Sequence, residues 1–190
     1  LGSFLSLPTE AISQLYLTGV GNRSFFDART IYYLSYSGFQ DKVPVIHPVI
    51  DYSNVINHPI LGGEVSYKTN FTSLSRETAA FDPITTLANT NGLCTTASAD
   101  PLARLPSQCL LRGFPGTYTR LTAEAQWRKS FTDPFGQIWT PFAILRADAI
   151  NASVSNQPGV SNFLPVGDTQ ALRPMPAVGL EYRYPFINVQ

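Results

Sequence analysis

The chain has 190 residues, 44% of them hydrophobic and 12% aromatic but only 14% charged, against about 25% charged in an ordinary soluble domain. Thirteen Lys and Arg balance thirteen Asp and Glu, giving a formal charge of zero, which excludes the basic footprint that nucleic-acid binding needs. No apolar run approaches the roughly 20 residues of a membrane-spanning helix, and the aromatic content argues against disorder.

There is no initiator Met and no charged segment leading into an apolar core, so no signal peptide is visible. The sequence begins at Leu1 in what already reads as structured chain, as in a processed protein or a piece of a longer one. Period-2 alternation then dominates. Residues 11–20 run into a turn signal at Gly19-Val20-Gly21-Asn22. Residues 24–36 set Asp27 and Arg29 against Ala28, Thr30, Tyr32 and Leu34. Residues 43–56 are β-rich but carry Pro44 and Pro48, which cannot donate to a ladder and mark a bulge or a strand end.

The clearest strand follows a short turn at Asn57-His58-Pro59. Glu64, Ser66, Lys68, Asn70 and Thr72 point one way, and Val65, Tyr67, Thr69 and Phe71 the other. Residues 77–116 are too long and polar for an ordinary hairpin connection. They hold Cys94 and Cys109, spaced for neither a CxxC redox motif nor a zinc site. A disulfide between them closes a loop of about 15 residues, for roughly 3 kcal/mol in the chain-entropy model; two free thiols are the alternative.

Alternation returns over 118–131, with Arg120, Thr122, Glu124, Gln126 and Arg128 opposite Leu121, Ala123, Ala125, Trp127 and Phe131. Asp133-Pro134-Phe135-Gly136 is a tight turn into 137–150, where Trp139, Ala143, Leu145 and Ala147 oppose Thr140, Arg146 and Asp148. After a link at 151–173, residues 176–186 set Glu181 and Arg183 against Val178, Leu180, Tyr182, Tyr184 and Phe186. The fold class that emerges is all-β, an antiparallel meander of about seven strands.

Short connections alternate with long ones at 37–42, 77–116 and 151–173, as periplasmic turns alternate with external loops in transmembrane barrels. Period 2 alone also fits a β-sandwich with an apolar core. Three features favour a transmembrane barrel. The polar face carries opposite charges: Glu64 with Lys68, Arg120 with Glu124 and Arg128, Arg146 with Asp148, Glu181 with Arg183. The apolar face places aromatics near strand ends (Tyr36, Trp127, Phe131, Trp139, Tyr182, Tyr184), as interfacial girdles do. Charge is also scarce for a soluble surface.

Several segments resemble the barrel of the lipopolysaccharide-assembly family LptD, in its alphaproteobacterial flavour. They are Gly21-Asn22-Arg23-Ser24-Phe25-Phe26-Asp27-Ala28-Arg29, Val45-Ile46-His47-Pro48-Val49-Ile50-Asp51-Tyr52, Leu61-Gly62-Gly63-Glu64-Val65-Ser66-Tyr67 and Arg112-Gly113-Phe114-Pro115-Gly116-Thr117-Tyr118-Thr119-Arg120-Leu121. The most specific is Met175-Pro176-Ala177-Val178-Gly179-Leu180-Glu181-Tyr182-Arg183-Tyr184-Pro185-Phe186. The resemblance implies that residues 1–190 form a partial segment of a larger outer-membrane barrel. That barrel would insert lipopolysaccharide into the outer leaflet, with an LptE-like plug lipoprotein and a periplasmic LptA-like bridge as partners. It further implies that Cys94 and Cys109 form a local disulfide in an extracellular loop, 77–116. The alternative function is a soluble secreted or periplasmic β-sandwich binding module.

No catalytic residue, metal site or cofactor is expected. His47 and His58 stand alone beside prolines, and a metal needs three or four converging ligands. There is no GxSxG elbow. Glu64, Lys68, Arg120, Glu124, Arg128, Arg146, Asp148, Glu181 and Arg183 are expected to face the lumen. Arg forks there suit lipopolysaccharide phosphates, while the plainer reading is an ion-pair network that stiffens the wall.

Overall fold

The computed structural model describes residues 10–36, 40–84, 94 and 109–185. Residues 37–39, 85–93 and 95–108 of the expected links, and Phe186 of the last expected strand, lie outside the described residues. Among the described residues ten strands run in chain order: β1 (Glu10–Val20), β2 (Ser24–Ser35), β3 (Val45–Val55), β4 (Glu64–Arg76), β5 (Ala80–Pro83), β6 (Cys109–Gly113), β7 (Gly116–Arg128), β8 (Phe131–Thr132), β9 (Ile138–Val154) and β10 (Gly167–Arg183). Seven of them form one antiparallel sheet in the order β1-β2-β3-β4-β7-β9-β10, with β8 clipped to the start of β9. Each neighbour is the next long strand in the chain. This is the expected meander of seven strands; the two-stranded β5–β6 sheet packs only at its loop end, against Val154, and among the described residues no layer covers the apolar face.

Strand lengths of 11 to 17 residues suffice to cross a bilayer at a tilt, which takes about 9–11. The short connections are built by turn chemistry. The Asp133 carboxylate accepts from the amides of Phe135 and Gln137 at 3.0 and 2.9 Å, an Asx-turn completed by Gly136 at φ 80°. Between β3 and β4 the tight turn lies at Ile60–Gly63, not at Asn57-His58-Pro59. Ile60 and Gly63 exchange backbone hydrogen bonds of 2.9 Å, and Leu61 and Gly62 take φ 53° and 72°, the left-handed pair a type I′ hairpin requires.

Other boundaries also differ from expectation. The link at 151–173 shrinks to 155–166, because β9 and β10 pair continuously from Gly167↔Val154 to Arg183↔Ile138. The 77–116 connection contains the β5–β6 hairpin. Pro48 sits in a bulge: His47 and Pro48 drop out of register with both β2 and β4, and the Thr30 hydroxyl takes over the Ile46 carbonyl at 2.9 Å. In β10, Pro174 and Pro176 stand opposite Ala147 and Leu145. Lacking an N–H, they occupy the non-bonded pairs of that ladder, and their nitrogens turn to the sheet's free edge.

The buried apolar residues do not lie along the sheet. Among the described residues they are Ala79, Cys94, Cys109, Val154 and Val160, all at the end of the sheet where the long connections gather. Large side chains such as Leu17, Leu121, Leu145, Leu172 and Val178 remain exposed. A sandwich would bury them against a partner layer, and the large sheet has none along its apolar face among the described residues.

Candidate functional site

Register decides which residues share a face. Beyond Glu10, Asp27, Arg29, Asp51, Glu64, Lys68, Arg76, Arg120, Glu124, Arg128, Arg146, Asp148, Arg173, Glu181 and Arg183 of the seven-stranded sheet all point to one side. On the other side the sole charge is Asp168, the second residue of β10. The nine residues singled out from the sequence therefore share a single face.

One rung crosses the whole sheet on that face: Thr18, Asp27, Asp51, Asn70, Thr122, Asp148 and Arg173 stand side by side. Its members are closely bonded. Thr18 donates to Asp27 at 2.9 Å and Arg29 to the same carboxylate at 2.7 Å. Asn70 donates to Asp51 at 2.6 Å, which stabilises a carboxylate facing Asp27 directly across the ladder. Like charges so placed are destabilising unless each finds a partner.

Asp148 is a hub, only 4% exposed. Arg120 donates to one of its oxygens at 3.0 Å and the Arg146 guanidinium approaches the other to 3.5 Å. Toward the turns, Arg128 donates two bonds to one oxygen of Glu64, at 3.2 and 2.9 Å, and Arg23 reaches the other at 3.2 Å. Arg183 pairs with Glu181. Lys68 and Glu124 stand opposite each other in register without a bond between them. The exposed pairs at Glu64 and Glu181 are each worth little, about 0–1 kcal/mol, so their effect is to set charge along the wall more than to hold it.

Arg23, Asp27, Arg29, Asp51, Asn70, Arg76 and Arg173 belong to the same face and were not singled out from the sequence. Asp27-x-Arg29 carries the i, i+2 spacing that signals a shared face. Asp51 follows the bulge, where the period restarts, and its face is not readable from spacing.

The opposite face has a different order. Phe26 stands beside Tyr52, Tyr67 lies two residues nearer the turns than Thr69, the partner of Tyr52, and Trp127 two nearer than Ala125, the partner of Tyr67. Trp139 lies four nearer than Ala143, the partner of Trp127, and pairs with Tyr182. At about 3.4 Å per residue and 4.8 Å per strand, this diagonal belt is inclined roughly 50° to the rungs, near the 35–45° tilt of barrel strands in a membrane. The rings carry polar partners, as amphipathic aromatics at an interface do. Trp127 donates its indole N–H to the Ile60 carbonyl at 2.9 Å, Asn54 bonds the hydroxyls of Tyr52 and Tyr67 at 3.3 and 3.2 Å, and Trp139 and Tyr182 pack with centroids 4.7 Å apart.

Cys94 and Cys109 are joined in a disulfide, against Phe81 and Phe163. Among the described residues no group of three or more His, Cys, Asp or Glu is placed to hold a metal ion. His47 bonds only Ser75, at 2.7 Å.

A family model described as LptD: LPS transport system D matches residues 4–189. No curated protein and no solved structure matches the chain.

Proposed function

The chain belongs to the LptD family, a family of outer-membrane proteins of lipopolysaccharide transport and assembly, and on that premise we propose that its sheet is one arc of a barrel wall in the outer membrane. The charged face lines a hydrated lumen along which the saccharide of lipopolysaccharide passes, and the apolar face meets lipid. Among the described residues both rims of the sheet are open, and a bilayer tolerates no unpaired strand edge, so further strands complete the wall. The protein works as a translocon delivering lipopolysaccharide to the outer leaflet, with an LptE-like plug lipoprotein in the lumen and an LptA-like bridge supplying cargo. The role is conduction, not catalysis, and the free energy for movement comes from the machinery that feeds it.

One observation carries this reading: beyond Glu10, every charge of the seven-stranded sheet but Asp168 lies on one face, while the other bears an inclined aromatic belt. A soluble sandwich puts its charged face in water but needs a layer over the apolar one. The experiment is a charge scan along β7 in the complete protein, with assembly into outer membranes as readout. Arg at Leu121 or Lys at Ala123 is expected to cost about 2–4 kcal/mol near the bilayer midplane and to block assembly. Lys at Thr122, beside Asp148 on the charged face, is expected to be tolerated. The reverse pattern overturns the topology.

A further inference from the structure

Near the turn end of the charged face, one rung runs Glu64, Arg128, Phe142 and Gly179 across β4, β7, β9 and β10. Its two middle side chains lean apart. The Arg128 guanidinium turns toward β4, donating two bonds to one oxygen of Glu64 at 3.2 and 2.9 Å. The half-buried Phe142 ring turns the other way, onto Gly179, where a Cβ would fall 2.3 Å from Cζ of the ring and 2.7 Å from Cε1. A ring tip comes so near only when the side chain lies down across the neighbouring strand, and the glycine leaves it room to do so.

Between the parted side chains lies a cavity of about 680 Å³, within the roughly 300–1,000 Å³ of small-molecule sites. Phe142 and Ile144 make an apolar floor, and Gln126 stands beside Ile144. Toward the turns the Ser130 and Thr140 hydroxyls, 2.9 Å apart, border it. Three cations of the lining, Arg128, Lys129 and Arg183, stand against two carboxylates, Glu64 and Glu181, each already engaged by an arginine. The cationic donors are not all spent. A guanidinium carries five N–H groups, of which Glu64 takes two from Arg128. The Lys129 Nζ stands over Gly62, and among the described residues its ammonium has no ion-pair partner.

A flat ring bordered by hydroxyls, an amide and unspent cationic donors suits a pyranose that carries an anion. The C–H face of such a sugar lies on an aromatic ring, its hydroxyls bond the border, and a phosphate takes charge-assisted bonds. We propose that this cavity binds a phosphorylated sugar, with Phe142 as the platform for the sugar ring and Lys129 and Arg128 as donors to the phosphate. The inference rests on the charged face being the lumenal one, which makes the ligand the phosphosugar part of the passing glycolipid. A plain sugar lacks the anion, and a phospholipid headgroup or free phosphate lacks the ring. The site therefore separates the cargo from the lipids around it.

The test is saturation-transfer NMR on the complete protein in detergent micelles, with glucose 6-phosphate as the probe. Glucose, inorganic phosphate and glycerol 3-phosphate serve as separate probes. In the wild type, glucose 6-phosphate is expected to receive saturation at its ring C–H protons and to bind about tenfold tighter than each of the others. Phe142→Leu is expected to weaken that binding about fivefold. Gly179→Ala, which keeps the ring but lifts it from its seat, is expected to weaken it by a similar factor. Lys129→Gln is expected to leave binding of glucose unchanged and to reduce the advantage of its phosphate. The comparison of probes on the wild type stands even where a variant fails to assemble. Absence of binding by glucose 6-phosphate overturns the site. Equal binding of inorganic phosphate or glycerol 3-phosphate overturns the sugar, equal binding of glucose overturns the phosphate, and an unchanged Phe142→Leu overturns the platform. If glucose 6-phosphate binds as stated but lipopolysaccharide never reaches the outer leaflet in reconstituted vesicles, the transport reading fails and the site stands. Delivery of lipopolysaccharide without that binding strikes the site alone.

Discussion

Two glycines separate conformational need from mere tolerance. Gly116 opens β7 at φ 124°, and a Cβ there would fall 1.9 Å from the Ser153 carbonyl oxygen. Gly136 has φ 80° but nothing within 4 Å of the Cβ position. Gly116→Ala must break the first pairing of β7 with β9 and is expected to cost about 2–3 kcal/mol, while Gly136→Ala costs about 1 kcal/mol from its dihedral alone. Urea unfolding of the folded barrel from detergent measures the difference. Spacing could suggest which face each strand residue takes, because alternation shows the shared face of Glu64, Lys68, Arg120, Glu124 and Arg128. It could not show that Arg76 lies under the hairpin, since that contact joins residues 37 apart through a connection with no period.

At the scale of elements, alternation is clearest in β4 and β7, where one face is apolar and the other polar; β9 blurs it, with Ile138, Phe142, Ile144 and Ile150 on the face of Arg146 and Asp148, and the first part of β10 reads as a link. What it missed were places where backbone geometry, not side-chain polarity, decides. The β3–β4 turn lies beyond Asn57-His58-Pro59 because Leu61-Gly62 adopts the left-handed pair, and a Leu there carries no turn signal. Leu61→Asn would supply the Asn-Gly dipeptide such turns prefer and is expected to stabilise the hairpin by about 0.5–1 kcal/mol, read as a higher urea midpoint. The β5–β6 pair is not legible in the sequence, because four- and five-residue strands in a polar stretch offer too few positions for a period to be counted. The Cys94–Cys109 bond was a candidate on loop length, but its two open readings separate only once both sulfurs are placed in space.

For the whole molecule, a sheet with two open rims and an uncovered apolar face has no state in plain water that satisfies both. Expressed alone in buffer without detergent, residues 1–190 are expected to form no monomer at 20.8 kDa on size exclusion, and such a monomer would count against the membrane reading. Assembly therefore passes through a stage at which the rims are bare, and there the two prolines of β10 acquire a role unconnected with transport. Two copies meeting edge to edge along β10 would need each rim to donate at every second residue, and at Pro174 and Pro176 neither has a proton to give. A self-templated ribbon would be interrupted at its centre, where growth depends on unbroken bonding. These residues thus guard the unfinished wall against polymerising with its own kind while it waits for the proper neighbour.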